Sequence, residues 1–535
     1  MKVFTYIKNF LPHFTDNRSG QLLMEILVAI VIGGMFIIGA SAALLMVVRQ
    51  NFENRGNQTA SSLAYSMINQ AEQTAQSDWH TIYNLSKGSS NTYFMVPSAT
   101  SSVPVLGKEG ALFNDVSAGL IGHWGMDESS GNVYYDTSGN VAEGGVEGSP
   151  TRVASDSCIV GACASFNGTT DDIAVSNTGA LPTGAAARTF SFWMRPNALQ
   201  TKTAVGYGTS ATDQLWDILL VNNGIIGLHH YGNSVTDQFP NTTYTVGEWQ
   251  YVVFTYDGTS VRSYINGVYK DTYTVSLNTT DSGSLKIASG IYSNYHYFNG
   301  YLDDVRVYNR ALSKDEITAL YNSDAYEKYF YVDNVQRDSS GLGSIVSSGG
   351  TDDPSTQKLT SVASWEGGRN VTYQTYITRD RDYVFVQNDW SGGPGEYGPV
   401  TTATTTFATS TYISASSTLL LSTTTSPGNL DSVAYDTQLT DGAALNSITW
   451  QGSLPVGGTV QFQIAYSNSS SGPWTFVGDG DTTGTYFTPT GSGYPKAIGT
   501  IHNYRYLRYR AILSTTGTST QDSPVITHII KNWSR

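Results

Sequence analysis

The sequence predicts an α+β chain, one long N-terminal helix followed by antiparallel β structure in several sandwich-like modules. Three observations carry this. Residues 26–48 are apolar or small throughout, and a polar helical pattern follows them. Charged residues make up only 13% of the 535, while aromatics reach 12%. Short alternating runs recur with Gly- and Asn-rich turns between them, which suits half-buried strands.

The helix comes first in the chain. Twenty-three residues at helical rise span about 34 Å, enough for a hydrocarbon core of ~30 Å. Lys2, Lys8 and Arg18 precede the run and Arg49 closes it. A basic flank before a first span keeps the N-terminus cytoplasmic and sends the rest outward. The run is too long for the apolar region of a secretory signal peptide, and no A-x-A-like site ends it. Beyond Arg49, Leu63, Met67, Ile68 and Ala71 fall at helical spacing with Gln and Glu opposite, so the helix continues as an amphipathic one.

Glu25 stands at the head of the apolar run, where an ionisable group needs a partner or a purpose. The stretch "RSGQLLMEILVAIVIGG" resembles the N-terminus of type IV prepilins and pseudopilins. The resemblance implies cleavage by a prepilin peptidase between Gly20 and Gln21, N-methylation, and Glu25 as the fifth mature residue. It also implies that Glu25 pairs with the N-terminal amine of a neighbouring pilin subunit, a buried charge pair that sets register.

From Gly119 to Asn322 the chain resembles a laminin-G-like, concanavalin-type jelly roll. "HWGMDESSG", "DTSGN", "ASFNGTTDDIAV", "RTFSFWMRP", "GEWQYVVFTYDGTSVRSYINGVYK" and "GYLDDVRVYNRALS" follow one another in the family's order. "RTFSFWMRP" and "WQYVVFTYDG" alternate as half-buried strands do, and "INGVY" is a hairpin turn. Ser313, with Glu316 three residues on, reads as a helix N-cap. The residues that follow resemble type IV pilus modification proteins, with Val335, Arg337, Asp338, Asp353, Pro354, Thr356, Lys358 and Trp365 in that pattern.

The implied order is therefore a leader (1–20), a pilin helix (21–79), a first part of the head (80–117), the jelly roll (118–323) and a second part of the head (324–390). A Ser/Thr-rich linker (391–428), with short β segments in "TYISASSTLLLS", and a C-terminal β-sandwich (429–535) complete it. That last module is weakly similar to galactose-binding-like folds; Trp450, Trp474 and Trp533 are read as its core.

Chemistry is sparse. No G-x-S-x-G, H-E-x-x-H, Walker or dinucleotide glycine motif appears, and the adjacent carboxylates Asp171–Asp172 and Asp303–Asp304 cannot flank a glycosidic bond. His229 and His230 face opposite sides of a strand. The net charge of −14 argues against nucleic acid or anionic lipid as main partner. Laminin-G-like modules commonly hold calcium near their paired first and last strands, where Asp127, Asp136, Asp303 and Asp304 lie; the plain alternative is solvated, turn-forming carboxylates. Cys158 and Cys163 form a disulfide if the chain is exported, or are two small buried thiols.

The expectation is a non-enzymatic, membrane-anchored extracellular protein. It would be a minor pilus subunit whose partners are other pilins, prepilin peptidase, the membrane, and a glycan or surface-protein ligand. An uncleaved membrane-anchored surface protein and an exported glycan-processing enzyme are the alternatives.

Overall fold

The computed structural model describes residues 19–98, 102–140, 143–176, 180–231, 238–280, 284–291, 297–338, 344–379, 383–388, 411–413, 418–421, 427–517 and 522–534. Lys2, Lys8 and Arg18, most of the expected leader, and most of the expected linker lie outside the described residues. The chain separates into two compact units between Thr59 and Ala60.

Helix α1 (Ser19–Ser77) contains the apolar run. It is the helix long and apolar enough to cross a membrane, with a mean hydropathy of 2.5 in its most apolar window and none of that window buried. Ile30, Phe36, Ile38 and Leu45 are all more than two-thirds exposed. In the second unit, Ala60, Ala64, Met67, Ile68, Ala71 and Ala75 are buried along one face, as the amphipathic spacing requires. Asp78 then caps the short helix α2 (Trp79–Tyr83), accepting the His80 N–H at 3.0 Å.

That face packs on an antiparallel sheet ordered Ser102–Leu106, Tyr93–Pro97, Ala325–Arg337, Thr351–Trp365, Arg369–Thr378. Phe94, Val96, Phe330, Val332 and Leu359 meet Met67, Ile68 and Ala71 in one cluster. Glu109–Leu112 also pairs with Ala325–Arg337, in register from Glu109↔Lys328 to Leu112↔Ala325. Thus residues 113–324 leave and rejoin the sheet at hydrogen-bonded neighbours. Within the sheet Arg337 Nε donates to Asp353 Oδ2 at 2.7 Å, joining two positions of the motif read in the sequence.

The inserted sandwich has two sheets. The first runs Val268–Thr274, Ser260–Ile265, Gln250–Tyr256, Arg188–Pro196, Asn299–Tyr308, Cys163–Asn167, Thr151–Val153, with Leu120–Trp124 also on Asn299–Tyr308. The second runs Ile226–His229, Leu215–Leu220, Lys202–Gly208, Ser284–Ile287, Asp172–Ser176, Gly144–Glu147, Val133–Tyr134. Phe190, Phe192 and Phe254 of the first face Trp216, Ile218 and Leu285 of the second in one core. Asn266 (φ 52) and Gly267 (φ 73) make the turn between two paired strands, where both residues must be left-handed.

Arg188–Pro196 and Gln250–Tyr256 are buried on both faces, not on one as their alternation predicts. Helix α3 (Lys314–Tyr321) covers the second face: Ile317 and Leu320 pack on Trp193, Tyr251 and Tyr264. Its capping box from Ser313 to Glu316 is formed in both directions.

The C-terminal sandwich pairs Val525–Ser534 with Ala444–Ser453, Leu419–Leu421 and Tyr383–Gln387, and Tyr506–Thr515 with Gly458–Ser467, Gly428–Asp431 and Tyr435–Asp436. Trp450, Trp533, Phe462 and Tyr509 build its core. Leu419 and Leu421, inside the expected linker, are fully buried there, and Tyr383–Gln387 joins this sandwich rather than the head. The short strands expected in "TYISASSTLLLS" form at Thr411–Ile413 and Leu419–Leu421, but as part of the sandwich and not of a stalk. Trp474 is only half-buried, a departure from the core expected of it.

Candidate functional site

Cys158 and Cys163 form a disulfide with Cα atoms 5.7 Å apart, closing a tight loop. Two of the singled-out carboxylates hold that loop by its backbone. Asp303 Oδ2 accepts the Ile159 and Val160 N–H groups at 2.9 and 3.0 Å. Asp127 accepts the Ala162 N–H and, from the neighbouring strand, the Gly110 N–H, each at 2.7 Å. Such close approach needs glycine. A Cβ at Gly161 (φ 69) would overlap the Asp127 carboxylate, and one at Gly110 would meet the Val160 backbone at 2.7 Å. Both acids are almost wholly buried. Burial pushes each well above the usual carboxylate range; neighbouring acids add to this and backbone N–H groups oppose it.

Beside this loop lies a cavity of about 350 Å³, lined by Asp127, Glu128, Arg152, Lys108, Glu327 and Ser129, with Val153, Ala154 and Ala162 as its apolar wall. Glu128 is 3% exposed. Its Oε1 accepts the Tyr135 N–H at 2.7 Å, and Arg152 Nη1 reaches Oε2 at 3.3 Å. Burial raises the Glu128 carboxyl to about 6 against the pull of these donors. Arg152 also donates to the carbonyls of Glu128, Gly131 and Val133 and stacks 4.2 Å from the Tyr134 ring, so it is a fixed wall. Lys108, 3.5 Å from Glu327, has a side chain 44% exposed and is the movable cation at the rim. Donors and acceptors of both signs around a small apolar floor suit a polyhydroxylated ligand.

The other two acids go elsewhere. Asp304 accepts from His123 Nε2 at 2.7 Å and Arg306 Nε at 3.0 Å. Burial would raise its carboxyl, but Arg306 and His123 outweigh it and hold it at about 2. Asp136 Oδ1 accepts the His123 and Ser138 N–H groups at 2.9 and 2.8 Å. The four acids thus fall into two pairs, Asp127 with Asp303 on the disulfide-closed loop and Asp136 with Asp304 about His123, and the buried Asp303 Oδ1 accepts no hydrogen bond among the described residues. Among the described residues no group of three or more His, Cys, Asp or Glu side chains converges as a metal requires. Glu25 is exposed on α1, four residues beyond the Gln21 backbone in the same helix as Gly20.

Residues 167–318 match the family model described as the concanavalin A-like lectin/glucanases superfamily. The inserted sandwich is a jelly roll of that type. No curated protein matches the chain. Solved structures that resemble it include domain 4 of an extracellular arabinanase from Geobacillus stearothermophilus, in complex with arabinotriose (20% identity, 38% of this chain and 98% of that one, TM-score 0.29). The binding domain of Paraclostridial mosquitocidal protein 1 (15%, 50% and 75%, 0.30) and the receptor-binding domain of botulinum neurotoxin type G (13%, 48% and 75%, 0.29) are further examples. None of these scores by itself establishes a shared fold.

Several polar groups of the jelly roll carry no motif in the sequence. Lys286 bridges Glu147 at 3.0 Å and Asp172 at 3.1 Å, and Ser289 donates to Asp172 at 2.5 Å. Asp171 instead accepts the Ser149 N–H at 2.9 Å, so the sequence neighbours Asp171 and Asp172 serve different networks. Glu128 and Arg152 were also missed: they sit 24 residues apart and only the sheet brings them together. The run "MDESSG" was the available signal, but it drew attention to Asp127 and not to its neighbour.

Proposed function

We propose that this protein is a membrane-anchored, type IV pilin-like minor subunit that displays a lectin-like jelly roll on the cell surface for adhesion, without catalysis. One observation carries the reading: a concanavalin-type jelly roll follows, in one chain, a helix whose apolar stretch is exposed along its length. Support for the pilin part comes from the amphipathic second half of α1 on an antiparallel sheet and from Glu25 after Gly20 and Gln21. The cavity at Glu128, Arg152 and Lys108 is the proposed glycan site. Its affinity per copy is weak, and many copies on a fibre compensate through avidity.

Mass spectrometry of the N-terminal peptide from membrane-extracted protein tests the assembly route. A peptide beginning at N-methylated Gln21 is expected. An intact N-terminus at Met1 or Lys2 would leave an anchored surface protein that does not pass through the pilin pathway. A glycan array probed with the full chain tests the ligand class, and no saccharide retained would sink it.

A further inference from the structure

Strand Tyr506–Thr515 of the C-terminal sandwich sends Leu507, Tyr509 and Ala511 into the core, so Arg508 and Arg510 share its outer face. Two half-buried rings stand over them. The Arg508 guanidinium lies 5.5 Å from the Trp474 ring and 5.6 Å from Phe476, and that of Arg510 lies 4.1 Å from Phe476. Gly472, at φ 91, lets the backbone pass under the Trp474 indole, where a Cβ would come within 2.7 Å of the ring. The ring is therefore positioned by backbone and guanidinium without entering the core.

The two arginines differ in what they have left to give. Arg510 is satisfied by Asp431, donating to Oδ1 at 2.6 Å and Oδ2 at 2.8 Å. Arg508 spends Nε on the Ser432 carbonyl at 2.6 Å, and among the described residues its two Nη groups have no hydrogen-bond acceptor. A guanidinium fork beside an indole, with both terminal nitrogens lacking an acceptor, suits a carboxylate in geometry and charge. Asp431, the nearby acid that acts on it, gives both of its oxygens to Arg510.

We propose that this face is a second saccharide site, selective for acidic sugars: Arg508 receives the carboxylate of a uronic-acid-type residue, and Trp474 and Phe476 stack on the sugar rings flanking it. Neutral sugars lack the group that the fork reads. The site is independent of the jelly-roll cavity and recognises a different chemistry.

The test is calorimetric titration of the detergent-solubilised full chain with an α-1,4-linked hexamer of galacturonic acid. The same hexamer with its carboxyls methyl-esterified, and a neutral hexamer, are titrated beside it. The free acid is expected to bind at least tenfold more tightly than the ester. Arg508→Lys, which keeps the charge but not the fork, and Trp474→Ala are each expected to weaken the acid at least tenfold. Equal binding of acid and ester by the unmodified protein overturns the proposal without any variant having to fold; so does absence of acid binding, or an Arg508→Lys protein that binds as before. Neutral glycan bound while the uronate is ignored would remove this site and leave the jelly-roll reading intact; the converse result would do the opposite.

Discussion

The jelly roll and the C-terminal sandwich are both layered antiparallel β structures, yet among the described residues the first buries carboxylates and the second buries none. The jelly roll buries acids: Asp127, Glu128, Asp303 and Asp304 are each at most 4% exposed. It meets them with backbone N–H groups from a disulfide-closed loop and with Arg306, itself 1% exposed. Both modules set cations against aromatic faces, Arg188 of the jelly roll among Tyr207, Trp216 and Tyr256, but the C-terminal sandwich does so with no buried acid beside them among the described residues. Arg508 and Arg510 lie on Trp474 and Phe476 outside, and the buried Lys531 has the Phe385, Tyr435 and Tyr509 rings at 4.5, 4.7 and 5.3 Å. A buried carboxylate needs several donors aimed at it, which only a tightly fixed loop supplies; a cation needs a ring face, which any packed aromatic offers. The first solution is stiff and pH-sensitive, the second adaptable.

Four changes bear on that contrast, beginning with the most damaging. Asp304→Asn removes the buried counter-charge of Arg306, leaving it only the half-exposed Asp115, while keeping a residue that tolerates the φ of 50° found there. Leaving Arg306 buried and poorly matched should cost about 3–5 kcal/mol. Calorimetry should show the jelly-roll transition falling while the C-terminal one stays; a joint shift would erase the distinction between the modules.

Glu128→Gln comes next. The folded-state value of about 6 lies above the ordinary 4.5, so the stability this group contributes is complete below about pH 4.5 and is lost as pH rises through about 6. Asp127 and Asp303 act in the same direction. The substitution should raise jelly-roll stability at pH 7 by about 2 kcal/mol and flatten its dependence between pH 4.5 and 6. Unfolding temperatures measured across that range would show it, and an unchanged slope would mean that Glu128 is better solvated than its burial indicates.

Ser313→Ala removes half of the capping box on α3 and should cost about 1 kcal/mol, read as a lower jelly-roll unfolding temperature. The smallest effect is expected at the C-terminal surface. Asp479→Asn breaks the 3.1 Å pair with Lys496, whose side chains are 49% and 32% exposed. Chemical denaturation should register a change of about 0.2–1 kcal/mol, reduced further by salt. A larger loss would show that this module also depends on placed charges.

Much of the architecture was legible because it rests on local pattern. The apolar run fixed the span, the spacing of Met67, Ile68 and Ala71 fixed the packed face, and Ser313 with Glu316 announced its helix. What escaped depends on residues far apart in sequence. Trp474 looks like core on average burial, and nothing near it announces Arg508, thirty-four positions later. Asp127 and Asp303 drew notice as calcium ligands, but the donors that occupy them come from Gly110 and the 158–163 loop, which only the folded ladder places overhead. Leu419–Leu421 could be read as a short strand, but three residues do not show which sheet they join.

The pairing of Glu109–Leu112 with Ala325–Lys328 has a mechanical consequence. Tension between the N-terminal helix and the C-terminal end of the chain reaches the insertion at Glu109 and Lys328, which are paired neighbours joined by a 3.1 Å ion pair. Four such pairs must unzip before any force passes through residues 113–324. The inserted jelly roll, joined to the sheet at two hydrogen-bonded neighbours, therefore stays out of the load path until that pairing opens.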